Sequence, residues 1–282
     1  MSAYALGLYE KSMPHEMALR RKLESVKASG FDFLEVSIDE TDEKLSRLWW
    51  GAEQRREVSA AINDTGAPIG SMCLSGHRKY PLGSPDIETR RKSLDIMERS
   101  IGLACEWGIR IIQLAGYDVY YEQGSEATRG YFYENLRISV EMATKYGVVL
   151  AFETMETPFM DTVAKVMHYV NEINSPYLQI YPDLGNMTNA AKLYGHNVSD
   201  DLLAGRGHIV ALHLKETVSG RYRDLRYGTG HVDFAEGVRA AWRLGVRRFV
   251  GEFWDDGEYK AQLAHAHGYL RGFFEGVNDI CT

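Results

Sequence analysis

Eight short apolar runs punctuate the chain, at positions 4–9, 33–38, 68–74, 109–114, 148–153, 178–183, 209–214 and 248–252, and a longer segment of helical character follows each. The runs themselves are too short to be helices. The segments between them carry apolar residues at helical spacing, as in Leu94, Met97, Ile101 and Cys105, or Leu136, Val140 and Ala143, so that one stripe faces a core. Just before five of the runs stand Gly30, Gly66, Gly108, Gly147 and Gly245, the residue type that a helix end favours when the backbone must take a positive φ. The pattern predicts repeated βα units and a parallel sheet.

An open, doubly wound sheet shares that alternation. Neither G-x-G-x-x-G after an early strand nor G-x-x-x-x-G-K-[ST] occurs, however, which removes the usual dinucleotide and triphosphate sites. Eight units favour closure into a (β/α)8 TIM barrel, and 282 residues with 45% hydrophobic content suit a single such domain of about 250 residues or more. No Pro-rich or Ser-rich linker breaks the chain, so one domain is expected over 1–282. A formal net charge of −7 speaks against a nucleic-acid or anionic-lipid partner, both of which need clustered cations. No apolar run reaches the roughly 18 residues of a membrane span and no basic leader precedes the first run. Cys73, Cys105 and Cys281 are odd in number and widely separated, which fits a reducing, cytoplasmic setting rather than a disulfide framework.

The chemistry is concentrated where four consecutive runs end. The fifth to eighth runs close on Glu153, Asp183, His213 and Glu252, at spacings of 30, 30 and 39 residues, each about the length of one βα unit. In a barrel, all four then reach the rim at the C-terminal ends of the strands, where barrel enzymes keep their active sites. Three carboxylates and one imidazole make a donor set for one divalent ion, with Mn²⁺ ahead of Zn²⁺, Co²⁺ and Mg²⁺. The loop at 215–226 adds Lys215, Arg221, Arg223 and Arg226, followed by Gly228 and Gly230. Lys215 and Arg223 lead as phosphate contacts, Arg221 and Arg226 are weaker, and the glycines would let backbone N–H groups approach the anion. His77 and Glu156 lie on the same rim as further sugar contacts. His231 is a weaker phosphate contact, and His208, His265 and His267 are expected to be structural.

Several stretches carry a resemblance over essentially the whole chain: Phe152-Glu-Thr-Met-Glu-Thr-Pro-Phe-Met160, Tyr181-Pro-Asp-Leu-Gly-Asn186, His213-Leu-Lys-Glu-Thr217, Gly228-Thr-Gly-His-Val-Asp-Phe234 and Gly251-Glu-Phe253. The sequence resembles the xylose-isomerase-like barrels, and among them the L-ribulose-5-phosphate (L-xylulose-5-phosphate) 3-epimerases, also called hexulose-6-phosphate isomerases. The resemblance implies that Glu153, Asp183, His213 and Glu252 hold the metal, that Glu153 and Glu252 exchange the proton, that the substrate is a small phosphorylated ketose, and that the protein is a homodimer. One position departs from the non-phosphorylated ketose 3-epimerases similar to this family. They usually have a His three residues after the metal-binding Asp, whereas this chain has Asn186, which points to the phosphorylated branch and makes Asn186 a substrate contact.

Inverting C3 of a 2-ketose requires removing a proton beside the C2 carbonyl and returning one from the other face, and two carboxylates on separate strands suit that division of labour. A divalent ion would stabilise the developing negative charge as a Lewis acid. The expected function is therefore a metal-dependent 3-epimerase interconverting L-xylulose 5-phosphate and L-ribulose 5-phosphate. The alternatives are an aldose–ketose isomerase on the same ligands, an endonuclease-IV-like nuclease, which this chain's few histidines and acidic charge disfavour, and a non-catalytic sugar-binding barrel.

Overall fold

A computed structural model describes residues 3–275; Cys281 lies outside them. Eight parallel strands follow one another around a ring: β1 (Ala5–Tyr9), β2 (Phe33–Ile38), β3 (Ile69–Leu74), β4 (Ile111–Ala115), β5 (Val149–Glu153), β6 (Leu178–Ile180), β7 (Leu212–Leu214) and β8 (Arg248–Gly251). The last strand returns to pair with the first, Leu6 beside Phe249. Continuous ladders join every neighbouring pair except β6 and β7, where the ring closes through two parallel bridges, Ile180 to Ile209 and Asp183 to His213.

The outer layer comprises α1 (Leu19–Ala28), α2 (Asp42–Ser46), α3 (Ala52–Thr65), α4 (Ile87–Trp107), α5 (Glu126–Tyr146), α6 (Val163–Ile173), α7 (Leu184–Tyr194), α8 (Val198–Ala204), α9 (Phe234–Arg243) and α10 (Tyr259–Glu275). All five glycines expected at helix ends have positive φ, from 63° at Gly66 to 89° at Gly245. The strands differ from the apolar runs in ways with local causes. Ile109 and Val148 are spent on helix ends, their N–H groups bonding the carbonyls of Ala104 and Ala143. The sixth run stops early because Pro182 has no N–H to give to a ladder, and its carbonyl accepts from His213 N at 2.9 Å instead.

Alternation along each strand sorts the core into two. Leu34, Val36, Leu150, Phe152, Leu212 and Phe249 join the large cluster against the helices, while Phe33, Tyr9, Cys73, Ala151, Tyr181, Ala211 and Val250 form a separate cluster inside the ring, as period-two side-chain direction requires. The interior also holds Glu35, Ser37, Ser71, Gln113, Glu153, Asp183, His213 and Glu252, all buried. A polar interior at the C-terminal end of the strands is what positions the site.

Candidate active site

Glu153, Asp183, His213 and Glu252 converge as the strand-end pattern predicts, each offering a ligand atom within 4.8 Å of the others. Their surroundings orient them. Asp183 caps the N-terminus of α7: Oδ1 accepts from Asn186 N at 2.6 Å, while its own N–H donates to Thr154 Oγ1 at 3.0 Å. Gln113 on β4 donates its side-chain amide to Glu153 Oε2. His213 Nε2 meets Glu35 Oε1 at 2.6 Å, which leaves Nδ1 facing Glu252 Oε2 at 3.0 Å and Glu153 Oε1 at 3.6 Å. Despite these distances, Asp183 Oδ2, His213 Nδ1 and Glu252 Oε2 have no aligned hydrogen bond among the described residues. Buried polar atoms are rarely left so. They point at a common space rather than at one another, the disposition expected of metal ligands.

Charge in this space is dense. Burial pushes Glu153 and Asp183 above the usual carboxylate range, with Glu252 adding to the rise in both. At Glu252 burial acts the same way, but Lys215 and His213 outweigh it and hold the group below its ordinary value. Burial opposes the charge on His213, yet Glu35 and Glu252 outweigh burial and raise it. Lys215 Nζ is 3.3 Å from Asp183, 3.5 Å from Glu252 and 3.9 Å from Glu153. Four buried carboxylates, counting Glu35, thus surround one lysine and one imidazole. A dication would redress that balance.

Above these four side chains opens a cleft lined by Glu153, Glu252, Lys215, Glu156, Asn186, Arg223 and other residues of the rim. Glu156 accepts hydrogen bonds from Tyr117 at 2.8 Å and Tyr120 at 3.3 Å. Asn186 donates to Thr154 O at 2.8 Å and its Oδ1 has no partner among the described residues. Arg223 lies over the Trp254 ring at 5.6 Å.

Other rim residues fall elsewhere. His77 is buried with Nε2 on Ser93 O at 3.2 Å, and burial lowers it to about 4. It is not among the cleft residues, because the short helical turn at Gly76–Arg78 turns it into the helix layer and brings Arg78 to the cleft instead. Lys215 is buried and faces the carboxylates rather than standing out in the loop. Arg221 bonds carbonyls of its own loop and Arg226 pairs with Asp256. The N–H of Gly228 does meet a carboxylate, but it is the protein's own Glu216, which also accepts from the N–H groups of Thr217 and Val232. His231 contacts Lys192 and Thr217, away from the cleft. His208 pairs with Gln179, and His265 and His267 meet backbone carbonyls.

Sequence reasoning missed Glu35, Gln113, Lys11 and Arg78. Glu35 left a trace, a lone carboxylate inside the run Phe33-Leu-Glu-Val-Ser-Ile38. Gln113 left a similar one in β4. Arg78 stands one position beyond the histidine that drew notice.

Residues 23–272 match the family model described as xylose isomerase-like TIM barrel. The chain is 47% identical over 269 residues to the L-ribulose-5-phosphate 3-epimerase UlaE of Escherichia coli, covering 94% of this chain and 93% of that protein. It is 46% identical over 229 residues to the L-ribulose-5-phosphate 3-epimerase UlaE of Salmonella heidelberg, covering 81% and 79%. Among solved structures, a D-tagatose 3-epimerase-like protein superposes with a TM-score of 0.80 at 15% identity, covering 99% of this chain and 100% of that one, and an L-ribulose 3-epimerase with a TM-score of 0.76 at 17% identity, covering 99% and 98%. At those identities the likeness to solved structures concerns the fold.

Proposed function

This chain belongs to the L-ribulose-5-phosphate 3-epimerase family of xylose isomerase-like TIM barrels and is an isomerase of the epimerase class; on that premise we propose that it interconverts L-xylulose 5-phosphate and L-ribulose 5-phosphate at C3. The observation that carries the reading is the convergence of Glu153, Asp183, His213 and Glu252 on one buried space with three of their atoms unbonded among the described residues. The donor set fits one divalent ion, Mn²⁺ first, with Zn²⁺, Co²⁺ and Mg²⁺ as alternatives. When bound, such an ion supplies Lewis acidity that makes the carbon acid beside the ketone ionisable.

The chain's own residues do the rest. Glu153 ends β5 and the residue after β8 is Glu252, so the two carboxylates approach the cleft from separate strands. One removes the C3 proton and the other returns one from the opposite face, the roles exchanging with direction. Lys215 offers an ammonium group against the developing enediolate. Glu156 and Asn186 take sugar hydroxyls. The cations Lys11, Arg78 and Arg223 line the same cleft and support a phosphorylated substrate, with Arg223 and Arg78 as the better donors because a guanidinium meets phosphate oxygens in pairs. A cytoplasmic enzyme acting as a homodimer is consistent with the reading, and no helix among the described residues is long and apolar enough to cross a membrane.

The test is turnover of L-xylulose 5-phosphate in D₂O by protein stripped of metal and reloaded with Mn²⁺. Deuterium at C3 of both pentulose phosphates supports the epimerase. Label only at C1 or C2 identifies an aldose–ketose isomerase and refutes the proposal.

A further inference from the structure

We propose that Glu35 is the positioning residue of the site: it fixes Nε2 as the protonated nitrogen of His213 and so presents Nδ1 to the ion. The inference rests on the metal reading above and adds to it a residue outside the ligand set.

The carboxylate has an unusual setting. Glu35 is fully buried inside the ring on β2, and its partners come from β3, β7 and the residue after β6. Oε2 accepts from Ser71 Oγ at 2.6 Å and from Tyr181 OH at 2.8 Å. Those two neutral hydroxyls leave Oε1 for His213 Nε2 at 2.6 Å. A carboxylate accepts and an imidazole nitrogen facing it must donate, so Nε2 carries a proton and the neutral ring has its lone pair on Nδ1. The Tyr181 ring also meets the His213 ring edge-on at a centroid distance of 4.7 Å and 61°. One tyrosine therefore holds both the carboxylate and the plane of the imidazole.

The backbone explains why such a brace is needed and how it is built. His213 sits at the seam where the ring closes through isolated bridges, one of which is its own to Asp183. On its other side it pairs with Val250 in a three-residue ladder to β8, so a continuous ladder holds it on one side only. The register between β2 and β3 slips at one point: Leu34 pairs with Ile69, but Glu35 pairs with Ser71. The extra residue, Gly70, lies where a Cβ would overlap the Phe33 ring. This bulge brings Ser71 beside Glu35 inside the ring. Bulges commonly re-aim side chains next to active sites.

A buried carboxylate retained only to hold the fold would be a poor choice, since well-packed apolar replacements of buried charges are often neutral or stabilising. Carboxylates behind metal-bound histidines instead fix the tautomer and raise ligand basicity, and losing one typically weakens metal binding about 10- to 100-fold.

The experiment compares the unmodified metal-free protein with Glu35→Gln, Tyr181→Phe and Glu252→Gln. Mn²⁺ affinity is measured by competition with a chromophoric chelator, and thermal unfolding is measured without metal. We expect Glu35→Gln to weaken Mn²⁺ about 10- to 100-fold, and Tyr181→Phe to weaken it by less, while the metal-free unfolding midpoint of Tyr181→Phe stays close to that of the unmodified protein. If Glu35→Gln does not fold, Tyr181→Phe carries the test alone. Mn²⁺ affinity unchanged in the Glu35 and Tyr181 variants but weakened in Glu252→Gln overturns the role of Glu35 and leaves the metal site standing. Equal affinity in the unmodified protein and Glu252→Gln, or no binding by either, overturns the metal reading and this inference with it.

Discussion

Lys215 Nζ stands 3.3 Å from Asp183 Oδ2, a carboxylate oxygen that has no aligned hydrogen bond among the described residues. The lysine therefore shares with any bound dication the carboxylates that would hold it. Replacing it by methionine is expected to strengthen Mn²⁺ binding by about tenfold, because a like charge is removed from beside the ion. The same change should destabilise the metal-free protein by roughly 3 kcal/mol, since buried carboxylates lose their cation. Chelator competition and urea unfolding read the two effects, and weaker Mn²⁺ binding would show that the lysine supports the ion rather than competing with it.

The cleft cations should separate phosphorylated from free sugars. Arg78→Met and Arg223→Met are each expected to lower kcat/KM for the pentulose phosphate by about 10- to 100-fold, the range of one to two charge-assisted hydrogen bonds. The corresponding free ketose should be turned over by the variants and the unmodified enzyme with nearly equal kcat/KM. Equal losses on both substrates would remove the arginines from phosphate recognition.

Gly230 abuts the captured Glu216 carboxylate, and a Cβ there would overlap Glu216 Oε1 and Thr217 O. Gly230→Ala should lower stability by about 1–3 kcal/mol, the usual range for overpacking, as read by the urea midpoint. An unchanged midpoint would mean that the loop is free to move away from Glu216.

The strands were legible because short apolar runs alternate with glycine-ended helices, and the convergence of Glu153, Asp183, His213 and Glu252 because parallel strands deliver their last residues to one rim. Glu35 was not, since its partner His213 lies 178 positions away and only the closed ring brings them together. The direction of the 215–226 loop was hidden for a related reason. The N–H of Gly228 just beyond it does meet a carboxylate, but nothing in the spacing says that Glu216 supplies it. At His77 and Arg78 the uncertainty was a single residue, and a short helical turn decided which side chain entered the cleft.

That turn also gives a pH dependence. Burial lowers His77 from 6.5 to about 4, so below pH 6.5 the unfolded chain binds a proton that the native protein refuses. Stability linked to this group is present above pH 6.5 and is lost as pH falls toward 4, by about 3 kcal/mol in all at 1.36 kcal/mol per pH unit. His77→Gln should flatten this part of the stability profile, measured by urea unfolding from pH 7 to 4. A profile as steep as that of the unmodified protein would assign the acid sensitivity to another group.

In the proposed mechanism Glu153 and Glu252 serve opposite faces of C3, and one-sided proton exchange tests this most directly. With saturating Mn²⁺ in D₂O, Glu153→Gln and Glu252→Gln should each lose interconversion by about 10²- to 10⁴-fold. Each should still exchange the C3 proton of one pentulose phosphate with solvent, Glu153→Gln that of one epimer and Glu252→Gln that of the other, as followed by proton NMR. Exchange of the same epimer by both variants, or interconversion at the unmodified rate in either, would contradict the two-glutamate mechanism.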